Sequence, residues 1–113
     1  ATKTVEAFGG TAAINIVKGY PVLVNDDAVT KRSYDRAVQY LGADKVKITT
    51  PRMGAEDFAF YSQKVPACFY RLGTGNPEKG ITSNIHTPTF NIDEDALKIG
   101  MGLMAYHAIS ELS

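Results

Sequence analysis

Two histidines, one cysteine and an adjacent pair of carboxylates are the residues here whose types most readily suit catalysis or metal binding. His86 stands in Asn84-Ile85-His86-Thr87-Pro88, within a polar stretch from Gly73 to Pro88. A loop that follows a strand is where open α/β sheets place their ligands. A metal ion needs several converging donors, however, and on residue types alone a single loop histidine reads as a surface residue. His107 falls among core and flank positions of the last helical pattern, with no chemical role expected. Glu56-Asp57 could do acid–base work or bind a metal. On the residues alone the stronger reading is that, in the first turn of a helix, they cap free N–H groups and complement the dipole. Cys68, in Val65-Pro66-Ala67-Cys68-Phe69-Tyr70, has apolar neighbours and no adjacent base, so it reads as a small hydrophobe on a strand.

Several chemistries are excluded by what is missing. One Cys and two His cannot build a zinc finger or an intrachain disulfide. The run Gly73-Thr74-Gly75-Asn76-Pro77-Glu78-Lys79-Gly80 lacks the Gly-Lys-Ser/Thr ending of a phosphate loop, and Pro77 removes an amide donor. No Gly-x-Ser-x-Gly elbow supports a serine hydrolase. Twelve basic residues balance twelve acidic ones without a basic run, so there is no electrostatic footprint for nucleic acid or an anionic membrane. No apolar stretch is long enough to span a bilayer, and no signal-peptide pattern opens the chain. The lone cysteine fits a reducing compartment, and a cytoplasmic location is expected.

The elements that would position these residues follow from pattern. With 44% apolar and 21% charged residues, 113 in all, the chain has the composition of one globular domain and the length for a single core. Thr2 to Phe8 reads as the last turns of a helix stopped by Gly9-Gly10, a start that suggests a piece of a longer polypeptide. Thr11 to Tyr20 alternates as a strand with Ile14 and Ile16 on one face. Asp27 to Leu41 is helical, with Tyr34, Ala37, Val38 and Leu41 on one face, Asp26 or Asp27 as cap and Gly42 as stop. Lys45 to Thr50 is a short strand ended by Pro51. Gly54 to Tyr61 opens a short helix, and Ala67 to Leu72 is an apolar strand central in its sheet. Residues 73–88 form a long loop, a type more often functional than idle. Asp93-Glu94-Asp95 then start a helix running to Leu112, where Gly100 and Gly102 permit close approach of a neighbour. Strands alternating with amphipathic helices predict a layered α/β arrangement.

Four motifs occur in order: Lys18-Gly19-Tyr20-Pro21-Val22-Leu23-Val24-Asn25-Asp26, Met53-Gly54-Ala55-Glu56-Asp57-Phe58-Ala59, Leu72-Gly73-Thr74-Gly75-Asn76 and Ile85-His86-Thr87-Pro88-Thr89-Phe90. Together they resemble the C-terminal part of the aminoacylase-like amidohydrolases, a branch of the co-catalytic metallopeptidases that includes hippurate, N-acyl-amino-acid and auxin-conjugate hydrolases. The resemblance implies the C-terminal part of a layered α/β catalytic domain over residues 26–113. Residues 1–25 would be the last helix and strand of the α+β lid, or dimerisation, domain. It implies two divalent ions, zinc or manganese, in the longer polypeptide, with His86 as a metal ligand. Gly54, Glu56 and Asp57 would lie beside metal or substrate. The family's other ligands and its general-base Glu lie upstream, so the resemblance places no catalytic residue in these 113 residues. The chain alone is expected to be inert and to bind no metal stably.

The implied reaction is hydrolysis of the amide bond of an N-acyl amino acid or small peptide by a metal-activated water. A dipeptidase or carboxypeptidase of the same family is the alternative within that class, and a non-catalytic α/β binding or assembly module the alternative outside it. A homodimer, or other self-association through residues 11–18, is expected because a lone strand edge invites pairing.

Overall fold

A computed structural model describes all residues from Ala1 to Ser113. Helix α1 (Thr2–Ala7) ends as its glycines dictate. Gly9 takes a left-handed φ of 72°, while the amides of Gly9 and Gly10 donate to the carbonyls of Glu6 and Val5. That is the paired bonding of a Schellman ending, with glycine where a Cβ would be strained.

Helix α2 (Asp27–Leu41) carries the expected cap: the Asp26 carboxylate accepts from the Val29 amide at 2.9 Å. Gly42 ends the helix at φ 92°. Helix α4 (Asp95–Leu112) packs against α2, and the sequence between them holds one α-helix, the four-residue α3 (Ala59–Ser62), and two 3-10 turns. Arg32 and Arg36 meet Glu111, Gln39 accepts from the Tyr106 hydroxyl at 3.0 Å, and Tyr40 stacks on Tyr106 at 5.5 Å. Rising numbers in α2 thus meet falling numbers in α4, so the two helices run antiparallel.

The glycines in α4 serve the approach expected of them. A Cβ on Gly102 would collide with the Tyr40 hydroxyl, and one on Gly100 would come within 2.7 Å of Leu72. Leu72 belongs to the segment 67–72, which lies along α4: the Tyr70 ring sits 5.7 Å from His107, and its hydroxyl reaches the Met104 sulfur. Phe69 meets Phe58 at 5.6 Å.

The three expected strands do not form. The only ladder contact is an isolated antiparallel bridge between Asn76 and Ile81. Segments 11–20, 45–50 and 67–72 keep their apolar patterns, but a strand requires a neighbour in register, and no two of them exchange backbone hydrogen bonds. Ile48 is 89% exposed as a result. The side chain of Asn25 supplies a partial substitute for segment 67–72: its Nδ2 donates to the Phe69 carbonyl at 2.9 Å and its Oδ1 accepts from the Phe69 amide at 2.8 Å. Next to it the Asp26 amide donates to the Ala67 carbonyl at 2.9 Å.

Other boundaries also differ from expectation. The helix foreseen from Gly54 begins only at Ala59, because the Glu56 side chain turns back to accept from the Phe58 amide at 3.2 Å. The last helix begins at Asp95, with Asp93 drawn away into contacts described below. The loop after Leu72 contains a 3-10 turn at Pro77–Lys79.

The core is small. Only Ala37, Ala59, Ala96 and Leu103 are buried. The radius of gyration is 20.6 Å, against about 13 Å for a compact chain of this length. Residues 11–24 make no backbone–backbone hydrogen bond and carry exposed Ile14, Ile16, Val17, Val22 and Val24. No helix is long and apolar enough to cross a membrane.

Candidate functional site

The loop that carries His86 is built from nested hydrogen bonds. At its base the Asp93 amide donates to the Thr74 carbonyl at 2.8 Å. The Asn76 side chain bridges the same point, accepting from the amides of Glu78 and Lys79 and donating to the Asp93 carboxylate at 2.6 Å. Lys79 completes the base with bonds to Asp93 at 2.7 Å and Asp95 at 2.8 Å. Further out, the hydroxyls of Ser83 and Thr89 meet at 2.8 Å. At the tip Thr87 donates to the Asn84 carbonyl at 2.7 Å.

His86 lies in that tip turn, exposed, with a backbone φ of 64°. It is the one residue other than glycine with a positive φ. Non-glycine side chains pay roughly 1–2 kcal/mol for this region. Against His86→Ala, the variant His86→Gly is therefore expected to be more stable by about 1 kcal/mol, read from urea unfolding midpoints. Equal midpoints would mean that the turn relaxes to a negative φ at no cost.

The other sequence candidates lie elsewhere. Gly54 is exposed, and a Cβ built on it would meet nothing within 4 Å, so it approaches no other part of this chain. Glu56 is half-buried by its bond to the Phe58 amide, and Asp57 is exposed. They sit in the turn before α3, not in its first turn as expected. No three His, Cys, Asp or Glu side chains converge closely enough to hold a metal ion. The residues present therefore do not fit a two-metal centre by themselves, and His86 offers it a single donor.

A second feature was not legible from pattern. A cavity of about 320 Å³ opens between α2, α4 and segments 45–49 and 68–73, with Thr30, Ala37, Cys68, Tyr70, Leu103 and His107 among its walls. Thr30 Oγ1 and His107 Nδ1 are buried without a hydrogen-bond partner. His107, expected to be an idle flank residue, is thus the histidine held in the helix seam. Burial, and then the Arg36 guanidinium, depress its pKa, against an opposing pull from Glu111. Burial, and then Cys68, raise that of Tyr70 beside it.

The depressed histidine has a stability consequence. The unfolded chain takes up its proton near pH 6.5 while the folded chain still resists it. The contribution is intact above that pH and is lost as pH falls through the lower folded value. The carboxylates of Asp93 and Glu111 are held below their usual range, chiefly by Asn76 and Arg36 respectively, so they stay charged in this window. A urea midpoint that drops between pH 7 and pH 5, and drops less in His107→Gln, is the expected result. Parallel curves for the two proteins would count against it.

Comparison with known proteins places this architecture. Residues 4–109 match the peptidase family M20/M25/M40, and the chain belongs to that family. It is 38% identical over 105 residues to an IAA-amino acid hydrolase ILR1-like 6 of Arabidopsis thaliana, covering 89% of this chain and 23% of that protein. It is 36% identical over 95 residues to thermostable carboxypeptidase 2 of Saccharolobus solfataricus, covering 82% of this chain and 23% of that protein. The chain spans about a quarter of the length of these curated relatives. No solved structure matches it. The resemblance drawn from the four motifs is borne out, and the family fits a layered α/β metallopeptidase domain.

Proposed function

We propose that these residues serve as the C-terminal part of a metal-dependent amidohydrolase that cleaves the amide bond of N-acyl amino acids or related peptides. The observation that carries this reading is the family match across residues 4–109, a span that includes every motif around Gly54, Asn76 and His86. Residues 26–113 would belong to the catalytic domain and residues 1–25 to the end of the lid. The unpaired segments 45–50 and 67–72 would then find their sheet neighbours in the remainder of the longer polypeptide. Two divalent ions, zinc or manganese, would be held mainly by residues outside this chain, with His86 donating to one of them. Bound ions of this kind polarise a carbonyl and activate water. Gly54, Glu56 and Asp57 would lie beside metal or substrate, and the lid segment would support a homodimer.

The similarity to a carboxypeptidase favours a second reading, in which a free peptide end is the substrate. Hydrolysis of N-acyl amino acids compared with peptides by the longer polypeptide separates the two.

The test begins with the chain by itself. Supplied with zinc or manganese, the 113 residues are expected to hydrolyse an N-acyl amino acid at background rate, whereas the longer polypeptide turns it over and loses that activity to a chelator. Turnover by the chain alone would refute the partial-site reading. A longer polypeptide inert toward both substrate classes would favour a binding or assembly module instead.

A further inference from the structure

We propose that Asp93 is a positioning residue for His86, acting through a polar clamp with Asn76 and Lys79 that closes the base of the loop between them. The inference rests on reading His86 as the working residue of that loop. Its grounds lie in how the loop is built. Residues 76 and 93 are seventeen apart in sequence, and a flexible excursion of that length would leave its tip in many orientations. Here its ends are bonded in three ways: Asp93 amide to Thr74 carbonyl, Asn76 side chain to Asp93 carboxylate, and Lys79 to the same carboxylate.

The two oxygens of Asp93 are divided between two loop partners. Oδ2 accepts from Asn76, and Oδ1 accepts from Lys79 and, at 3.3 Å, from the Asp95 amide. Its side chain is only 15% exposed, whereas Asp95, the other partner of Lys79, is 72% exposed. Charge-assisted bonds of this length are the stronger class. Asn76 in turn spends its carbonyl on the Glu78 and Lys79 amides, and its backbone pairs with Ile81 in both directions at 2.9 Å. One carboxylate at the start of α4 thus ties down both the 76–81 hairpin and the point where the chain returns from the tip. The tip itself holds His86 in a backbone conformation that a free loop would not favour. A prebuilt loop spares the ordering cost when a ligand meets the imidazole.

The experiment compares Asp93→Ala, Asp95→Asn and Asn76→Ala in this chain by NMR. The readouts are amide exchange at position 93 and Ile81 and the strong intraresidue Hα–HN contact that a positive φ gives His86. Asp93→Ala is expected to speed exchange at both amides by about tenfold or more and to weaken the His86 signature. Asp95→Asn is expected to change neither. An unaltered His86 signature in Asp93→Ala would overturn the proposal, as would an equal effect from Asp95→Asn, which would mark a general role at the helix start. If Asp93→Ala also loosens α4, Asn76→Ala decides, because it cuts the same contact from the loop side. An unaltered signature there refutes the clamp. His86→Ala leaving metal content of the longer polypeptide unchanged would instead remove the ligand role, with the clamp result still standing.

Discussion

His86→Ala in the longer polypeptide is expected to lower bound divalent metal and hydrolytic rate together, by about 100-fold or more. Altering even the groups that orient a metal ligand typically costs 10- to 100-fold, and loss of the donor itself removes a coordinate bond. The expectation follows from the proposed role and from where the loop puts the ring. His86 is exposed at the tip of a loop closed at three levels, a position that leaves its imidazole open to partners from elsewhere. Elemental analysis of the purified variant is the check that matters, since activity alone falls for many reasons. His86→Gly adds a control: it is expected to lose metal and rate equally while keeping the turn without strain. Full metal occupancy in either variant would end the ligand assignment.

Self-association of the 113-residue chain is the second large effect expected. Within residues 11–24 the side chains of Ile14, Ile16, Val17, Val22 and Val24 are exposed, Ile16 at 80% and Val17 at 83%. Their backbone N–H and C=O groups have no backbone partners. Burying one Val or Ile side chain yields roughly 1.5–3 kcal/mol, and about 8 kcal/mol net corresponds to micromolar binding. A strand pair between two copies, burying Ile14 and Ile16 from each, would supply several such contacts along with the missing backbone bonds. Light scattering at rising concentration should show species larger than a monomer. Ile14→Lys with Ile16→Lys should shift the association midpoint upward by at least about tenfold, since each change forfeits an apolar contact and adds repulsion. A chain that remains strictly monomeric at high concentration would rule this out.

How legible the fold was depended on the range of the interaction that makes each element. The Schellman ending at Gly9-Gly10 and the Asp26 cap of α2 involve residues within a turn of one another, and both occur as read. The glycine spacing in α4 correctly marked a close approach, although only the structure shows that Tyr40 and Leu72 are what approach. The strands failed for the opposite reason. Alternation describes one side of a partnership, and residues 11–20, 45–50 and 67–72 have no partner strand among these 113 residues. Segment 67–72 lies against α4 where a place in a sheet was expected. Pattern alone makes Asp93 a first-turn helix residue, because its tie to Asn76 spans seventeen residues and leaves no local signature.

The sequence by itself determined the stop of α1, both ends of α2 and the family to which the chain belongs, because capping and motif order are written in neighbouring residues. It could also single out His86, but as a residue type in a loop. Tertiary structure decided the rest: the antiparallel pairing of α2 with α4, the shielded position of His107, and the clamp through Asp93 that sets the loop beneath His86. Each of these depends on groups far apart in the chain meeting at hydrogen-bond distance, a condition that only the packed helices and the closed loop impose.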